Sequence, residues 1–342
     1  MGNGYPRRYL QLCNAPIAEL VRGLFHSSMR VLVTGGAGFI GRHITEYFQD
    51  RAEVRVLDDL RSGLKSNLVG LKCQLIVGSI LDRDLVREAM RGVDLVFHLA
   101  ALVSVPGSVQ KPIEYFEINA RGTAIVLEKA ARAGAKKLIF SSSAAIYGDN
   151  PVVPQIESMP AEPNSPYATS KYEGERYCCS FTDEGRLPTV SLRYFNVFGP
   201  YQHLRTEYTA AVPAFIEKAT RNESITIFGD GGQTRDFIFV KDVAAANAFF
   251  ALQSQATGVF NVALGKATTI TDLAVTIRKL AKSSSKIEYG TARPGDVKHS
   301  VAGVDKIQKA GFKPICDLDT GLGETIEFFR RELAGVKQDR HV

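Results

Sequence analysis

Short apolar runs bounded by turn residues recur through the first two hundred positions, with stretches of helical period between them. The run Arg30–Thr34 is almost wholly apolar and ends at a cluster of glycines. Runs at 54–58, 73–77, 95–99, 137–141 and 189–194 have the same character, and helical patterns fall at about 40–48, 81–91, 113–133 and 167–182. Strands that are apolar on both faces need cover on both faces. Their alternation with helices therefore predicts an α/β protein with a doubly wound parallel sheet. From about residue 195 the rhythm loosens, punctuated by Gly199-Pro200, by Gly229, Gly231 and Gly232, and by Pro294-Gly295. This predicts a smaller C-terminal α/β lobe. The chain shows no internal repeat.

Composition narrows the class without changing it. The 342 residues are 45% hydrophobic and 23% charged, as in ordinary soluble domains. That length suits one large α/β unit or a core with a smaller cap. No run of 18 apolar residues is present, so no membrane span is expected. The formal charge of +6 comes from scattered Lys and Arg, with no basic block. This argues against nucleic acid and for a small anionic substrate. The cysteines (Cys13, Cys73, Cys178, Cys179 and Cys316) are odd in number and lack C-x-x-C spacing. The adjacent pair reads as small helix residues rather than a bridge or a metal site, so no metal is expected and the cytoplasm is the expected compartment. Residues 1–28 lack the pattern of a secretory signal. They read as an extension ahead of a compact core or as an upstream start, with Leu20, Val21, Leu24 and Phe25 grouped on one short amphipathic helix.

The glycines after the first strand are spaced Gly35-x-x-Gly38-x-x-Gly41, one residue different from the G-x-G-x-x-G dinucleotide fingerprint. Gly35 and Gly38 allow a tight turn and close approach to a pyrophosphate at the helix N-terminus, and Gly41 lets the helix pack close to the strand. Asp58 follows 20 residues after Gly38, at the end of the second strand. A carboxylate there accepts both adenosine ribose hydroxyls and repels a 2′-phosphate, which favours NAD over NADP, with neighbouring Arg61 pulling the other way. His98-Leu99-Ala100-Ala101 closes the fourth strand with small residues against which a flat ring or ribose can lie. His98 itself reads as a buried, hydrogen-bonded histidine. The expected organisation is an extension over 1–28, an NAD-binding Rossmann-type core over 29–195, and a mainly substrate-binding lobe over 196–335 interleaved with that core.

Tyr167-Ala168-Thr169-Ser170-Lys171 lies 126 residues beyond Gly41. Residues four apart on a helix share a face, so the phenol and the ammonium project together. A phenol of ordinary pKa near 10 is a poor base at neutral pH, and a nearby ammonium, with the positive nicotinamide of NAD⁺, is expected to lower it. Pro166 suits the first helical position. Ser141-Ser142-Ser143 closes the fifth strand at the carboxyl end of the sheet, where ligands bind, and one of these hydroxyls is expected to share the travelling proton.

With the cradle, His98-x-Ala100-Ala101, Asn119, the serine run, Tyr167-x-x-x-Lys171 and Leu192-Arg-Tyr-Phe-Asn-Val-Phe-Gly199 in order, the chain resembles the extended short-chain dehydrogenase/reductases over about residues 29–330. It is most similar to the UDP-hexose 4-epimerases of UDP-glucose and UDP-N-acetylglucosamine. That similarity is carried by Phe140-Ser-Ser-Ser-Ala-Ala-Ile-Tyr-Gly148, Thr234-Arg-Asp-Phe-Ile-Phe-Val-Lys-Asp242 and Arg293-Pro-Gly-Asp296. The resemblance implies that Ser143, Tyr167 and Lys171 are catalytic. It implies that Gly35, Gly38, Phe39, Ile40, Asp58, Asn119 and Phe195 line NAD, with Ala100, Ser141, Tyr167 and Lys171 beside them. For the UDP-sugar it implies Ser143 and Asn196 at the sugar and diphosphate, Phe228 against uracil, Arg235 and Arg293 on the diphosphate, and Asp296 on the ribose. An arginine fork suits bidentate phosphate recognition on chemical grounds alone.

The implied activity is a redox-neutral 4-epimerisation through a 4-keto sugar, in a homodimer formed through the 113–133 and 167–182 helices. Four residues past Asp296 stands Ser300, where glucose-restricted relatives carry a tyrosine. With small Gly107 and Ala211, this implies room for an N-acetyl group. A 4,6-dehydratase needs an acid/base pair where this chain has Ala144 and Ala145. A UDP-glucuronate decarboxylase or 4-epimerase stays open, and an intact Ser143–Tyr167–Lys171 set argues against a non-catalytic NAD-binding regulator. One departure concerns the cofactor: Gly78 is followed by Ser79, where the family has an adenine-contacting Asp.

Overall fold

The computed structural model describes residues 29–203, 210–252, 255–292 and 297–338. Residues 1–28, Arg293 and Asp296 lie outside the described residues, so the expectations placed on them find no test in the fold.

The first six strands are β1 (Arg30–Thr34), β2 (Glu53–Asp58), β3 (Gln74–Val77), β4 (Leu95–His98), β5 (Lys137–Ser143) and β6 (Thr189–Tyr194). With Gly258–Val262 they form one seven-stranded sheet in which every pairing is parallel. The continuous apolar runs are explained by what each face meets. Val31 and Val33 of β1 pack with Phe48, Phe97 and Ile139 in one core. Leu32 between them packs with Leu57, Val96, Val126 and Leu138 in another. Each such side chain, fully buried, contributes about 1.5–3 kcal/mol, so alternate residues of one strand stabilise two separate layers. The fold is the Rossmann-type doubly wound α/β arrangement. Its strand order reverses between β1 and β4, which opens a crevice at their carboxyl ends.

Three details differ from the sequence pattern. β5 runs two residues further than the apolar run, because Ser141, Ser142 and Ser143 continue the pairing with Leu192, Arg193 and Tyr194. The helix expected over 113–133 is interrupted: a π-helical turn, Phe116–Arg121, lies between Pro112–Tyr115 and Gly122–Arg132. The seventh strand, Gly258–Val262, comes from beyond residue 195 and pairs with β6.

The second half also builds smaller ribbons. β7 (Asn196–Phe198) pairs with β10 (Phe237–Phe239), and β8 (Ile225–Phe228) with β13 (Ile287–Gly290). β9 (Thr234–Arg235) lies between β12 (Thr268–Thr269) and β14 (His299–Ser300). The core that takes Val31 and Val33 continues without a break to Phe215, Ile225, Ile227, Leu273 and Ile277. The two halves of the chain therefore share one apolar interior.

Candidate active site

The crevice begins at the glycine turn. Gly35 has φ +71°, and a Cβ there would lie 2.7 Å from the Ala100 amide nitrogen, so neither the backbone nor the neighbouring strand end admits a side chain. At Gly41 a Cβ would stand 2.2 Å from the Gly35 carbonyl oxygen, which brings the helix Phe39–Phe48 hard against the turn. Gly38 is its N-cap, and no side chain caps this helix among the described residues. An added Cβ at Gly38 would meet only the Gly35 carbonyl oxygen, at 3.2 Å. Unclaimed amides with positive dipole character and open space in front of them suit a pyrophosphate. Phe39 and Ile40 are the first two residues of that helix and pack partly into the core.

Asp58 ends β2 beside this turn, buried. Its Oδ2 accepts from the Ala37 amide at 3.0 Å and its Oδ1 from the Leu60 amide at 2.9 Å. Burial raises its pKa, opposed by those two hydrogen bonds. A carboxylate has four lone-pair sites, so acceptor capacity remains for ribose hydroxyls. Arg61 is engaged elsewhere: its Nη1 donates to Glu114 Oε1 at 2.6 Å and its Nε lies 3.7 Å from Asp59. The arginine that pulled toward a 2′-phosphate is thus paired with carboxylates. Ser79 Oγ accepts from the Leu81 amide at 3.2 Å, so its hydroxyl serves the turn after β3.

His98 is held on both nitrogens, Nδ1 to Thr34 Oγ1 at 2.7 Å and Nε2 to Thr123 Oγ1 at 2.9 Å. Burial, with a smaller contribution from Lys171, pushes its pKa down to about 3. It is a neutral strut between β1 and β4 at the point where the sheet reverses. Asn119, in the π turn, is just 2% exposed. Its Nδ2 donates to Leu102 O at 2.9 Å and Ser170 Oγ at 3.0 Å, and its Oδ1 accepts from the Leu102 amide at 2.8 Å. The amide thus ties the segment after Ala100 to the helix bearing Tyr167 and reaches the crevice through those neighbours.

That helix, Pro166–Asp183, has Pro166 in its first turn as the sequence predicts, and the structure adds a cap, with the Ser165 hydroxyl accepting from the Ala168 amide. Tyr167 and Lys171 project from it toward the end of β5. The phenol is hydrogen-bonded by Ser143, and Lys171 Nζ donates to the Ser141 carbonyl at 2.8 Å. The four-residue spacing predicts that Lys171 depresses the phenol. In the structure burial dominates and raises its pKa, with Ser143 pulling it down and the neighbouring Tyr115 pushing it up. Lys171 is itself lowered to about 8 by burial, its ammonium directed at a carbonyl rather than at the phenol.

One residue that the spacing alone did not single out lies a helical turn further on. Glu175 accepts from Arg193 Nε at 2.9 Å and Nη2 at 2.8 Å and from Ser142 Oγ, all buried. It fastens the helix bearing Tyr167 to β5 and β6. The available signal was its position four residues past Lys171, an acid on the face that points inward.

Of the residues expected at the UDP-sugar, Arg235 and Ser300 are register partners across paired β9 and β14. The Asn196 amide donates to the Asp236 carbonyl at 3.0 Å, bringing Asn196 to the same place. Phe228 stands apart on β8, 39% exposed. Phe195 is buried in a small cluster with Tyr147, Ala263 and Ala302. Ala211 opens the helix Ala211–Thr220. Gly107 makes room for a different group than expected, because a Cβ there would sit 2.8 Å from the Tyr115 hydroxyl.

Comparison with known proteins adds to this geometry. The NAD dependent epimerase/dehydratase family matches residues 31–263. A putative UDP-glucose 4-epimerase of Methanocaldococcus jannaschii is 35% identical over 88% of this chain and 98% of its own length. Among solved structures, a UDP-N-acetylglucosamine 4-epimerase from Methanobrevibacter ruminantium, in complex with UDP-N-acetylmuramic acid, is 42% identical with a TM-score of 0.86, over 90% of this chain and 99% of that one. A Thermus thermophilus UDP-glucose 4-epimerase in complex with NAD is 35% identical with a TM-score of 0.81, over 88% and 99%. Decarboxylases and dehydratases of nucleotide sugars are similar as well, at lower identity.

Proposed function

The chain belongs to the NAD-dependent epimerase/dehydratase family, and we propose that within it this protein inverts C4 of UDP-hexoses, without net oxidation, in the cytoplasm. The cofactor is NAD. Bound NAD supplies the acceptor for the C4 hydride and, once reduced, the donor that returns it. The uncapped helix N-terminus behind Gly38 would hold its pyrophosphate and Asp58 its adenosine ribose.

The observation that carries the reading is the contact between Ser143 and the Tyr167 phenol, with Lys171 one helical turn further on and Ala144 and Ala145 next in the chain. Tyr167, as phenolate, removes the proton from the sugar O4 while Ser143 orients that oxygen. Lys171, held by the Ser141 carbonyl, keeps positive charge in the crevice. The 4-keto sugar turns about its diphosphate link, anchored by Arg235, and presents its other face. Tyr167 then gives the proton back to O4. Anchoring through the remote UDP group lets the ring turn without release.

Ala144 and Ala145 open the turn directly after Ser143 and carry no proton-transfer group, which disfavours a 4,6-dehydratase. We propose both UDP-glucose and UDP-N-acetylglucosamine, with their C4 epimers, as substrates, because Ser300 is small where it faces Arg235. A homodimer through the 113–133 and 167–182 helices is supported by exposed Val109, Ile113, Phe116 and Tyr177.

Chromatography and mass spectrometry of the purified holoenzyme with a panel of UDP-sugars tests the reading. C4 epimers should form with no added NAD⁺ and no accumulation of NADH. A pentose product from UDP-glucuronate, a 4-keto-6-deoxy product, or absolute dependence on added NAD⁺ would replace it with a different activity.

A further inference from the structure

Asp236 lies between β9 and β10, with no solvent exposure and no part in the proton chemistry. Its side chain gathers amides from two separate segments. Oδ1 accepts from Leu264 at 3.0 Å, and Oδ2 from Gly265 at 2.9 Å and Ala302 at 3.2 Å. Its main-chain carbonyl accepts from the Asn196 amide at 3.0 Å and from Asn196 Nδ2 at 3.3 Å. Arg235 precedes it in the chain, and Ser300, paired with Arg235, stands two residues before Ala302. Asn196 and Arg235, expected at the diphosphate, and Ser300, expected beside the sugar, thus lie next to one residue whose buried carboxylate joins their surroundings.

We propose that Asp236 is a positioning residue for substrate. By fastening the 264–265 loop and Ala302 to the strand that carries Arg235, it holds the arginine fork where a nucleotide diphosphate is bound. This rests on the reading of the site as one for UDP-sugars. A buried carboxylate accepting several amides is a rigid joint, since each released N–H would be left without a partner in a dry interior. The chemistry is also specific to a carboxylate. An asparagine offers one acceptor oxygen and an NH₂ group that would face an N–H. Burial pushes the Asp236 carboxyl up to about 6 against the pull of its amide partners, so at neutral pH the accepting form prevails.

The test is UDP binding to the holoenzyme by calorimetry, alongside NAD content and steady-state kinetics, for Asp236→Asn, Asp236→Glu, Arg235→Ala and the Asp236→Asn/Arg235→Ala pair. Asp236→Asn should weaken UDP and raise KM for the UDP-sugar by about tenfold, the effect of one misplaced charge-assisted contact, with kcat and NAD content close to wild type. In the Arg235→Ala background the same change should add little, because it acts through the arginine. If Arg235→Ala weakens UDP but Asp236→Asn does not, the proposal fails and the reading of the site stands. If Arg235→Ala leaves UDP binding unchanged, the reading of Arg235 fails and the proposal with it. Joint loss of NAD and UDP binding, or failure of both the Asn and Glu variants to fold, assigns Asp236 to the stability of the lobe and overturns the proposal.

Discussion

Tyr167 sits where burial works against the phenolate that the proposed mechanism needs, and Ser143 eases this. Tyr167→Phe should lower turnover by about two to four orders of magnitude while leaving UDP affinity unchanged, because the phenol meets only the reacting hydroxyl. Stopped assays beside UDP calorimetry check both halves, and near-normal turnover would name another base. At the far side of the site, Ser300→Tyr places a ring beside Arg235. Epimerisation of UDP-N-acetylglucosamine should fall sharply and that of UDP-glucose little. Equal loss on both sugars, or on neither, would remove Ser300 as the size gate. At this scale spacing made the Tyr–Lys pair legible, but not its electrostatics. Four residues of helix fix which side chains are neighbours, while the direction of the phenol's pKa depends on the chain packed around it.

At the scale of elements, the helix Pro166–Asp183 does two tasks. Its first turns present Tyr167 and Lys171, and its next turn anchors the whole element through Glu175 to Arg193, a buried pair with side chains 3% and 5% exposed. Glu175→Ala leaves a buried guanidinium without its anion. Such a change should cost about 3–5 kcal/mol of folding stability, measured by denaturant unfolding of the holoenzyme. A loss under about 1 kcal/mol would mean that water or another acceptor takes the place of the carboxylate. The π turn at Phe116–Arg121 is the other decisive element. It inserts extra backbone into an otherwise regular helix and aims Asn119 at Leu102 and Ser170. Periodicity read this stretch as one helix, since the order of apolar residues does not say whether a turn closes with i−4 or i−5 hydrogen bonds.

At the scale of the whole molecule, large apolar side chains left in water include several that lie close together in the chain, Val103, Val105, Val109, Ile113 and Phe116. Ile113 is 79% exposed and Val109 66%, on the stretch beside the helix bearing Tyr167. Grouped exposed residues of this kind mark association sites. The protein is expected to sediment as a dimer, and Ile113→Asp to shift it toward monomer, because a charge buried in an apolar interface costs several kcal/mol unless it is paired. A dimer that survives Ile113→Asp unchanged would place the interface elsewhere.

What the sequence determined by itself is what short spacings encode. These are the apolar runs of β1 to β6, the glycine turn at Gly35, Gly38 and Gly41 with Asp58 after it, and Tyr167 with Lys171 on a helix opened by Pro166. In each case the groups that must meet are close in the chain, or are repeated in a pattern the sheet demands. The tertiary structure decided the rest. The strand Gly258–Val262 pairs with β6 although more than sixty residues intervene, and its apolar pattern names no partner. Arg61 is claimed by Glu114, Ser142 by Glu175 and Asn119 by Leu102, each across a gap that no local rule spans. Asp236 stands in the sequence only as part of the stretch from Thr234 to Asp242, with no role of its own, and becomes a joint only when Leu264, Gly265 and Ala302 fold onto it. The physical reason is common to all of these. Burial and pairing depend on which distant segments arrive, and that is a property of the whole packed interior.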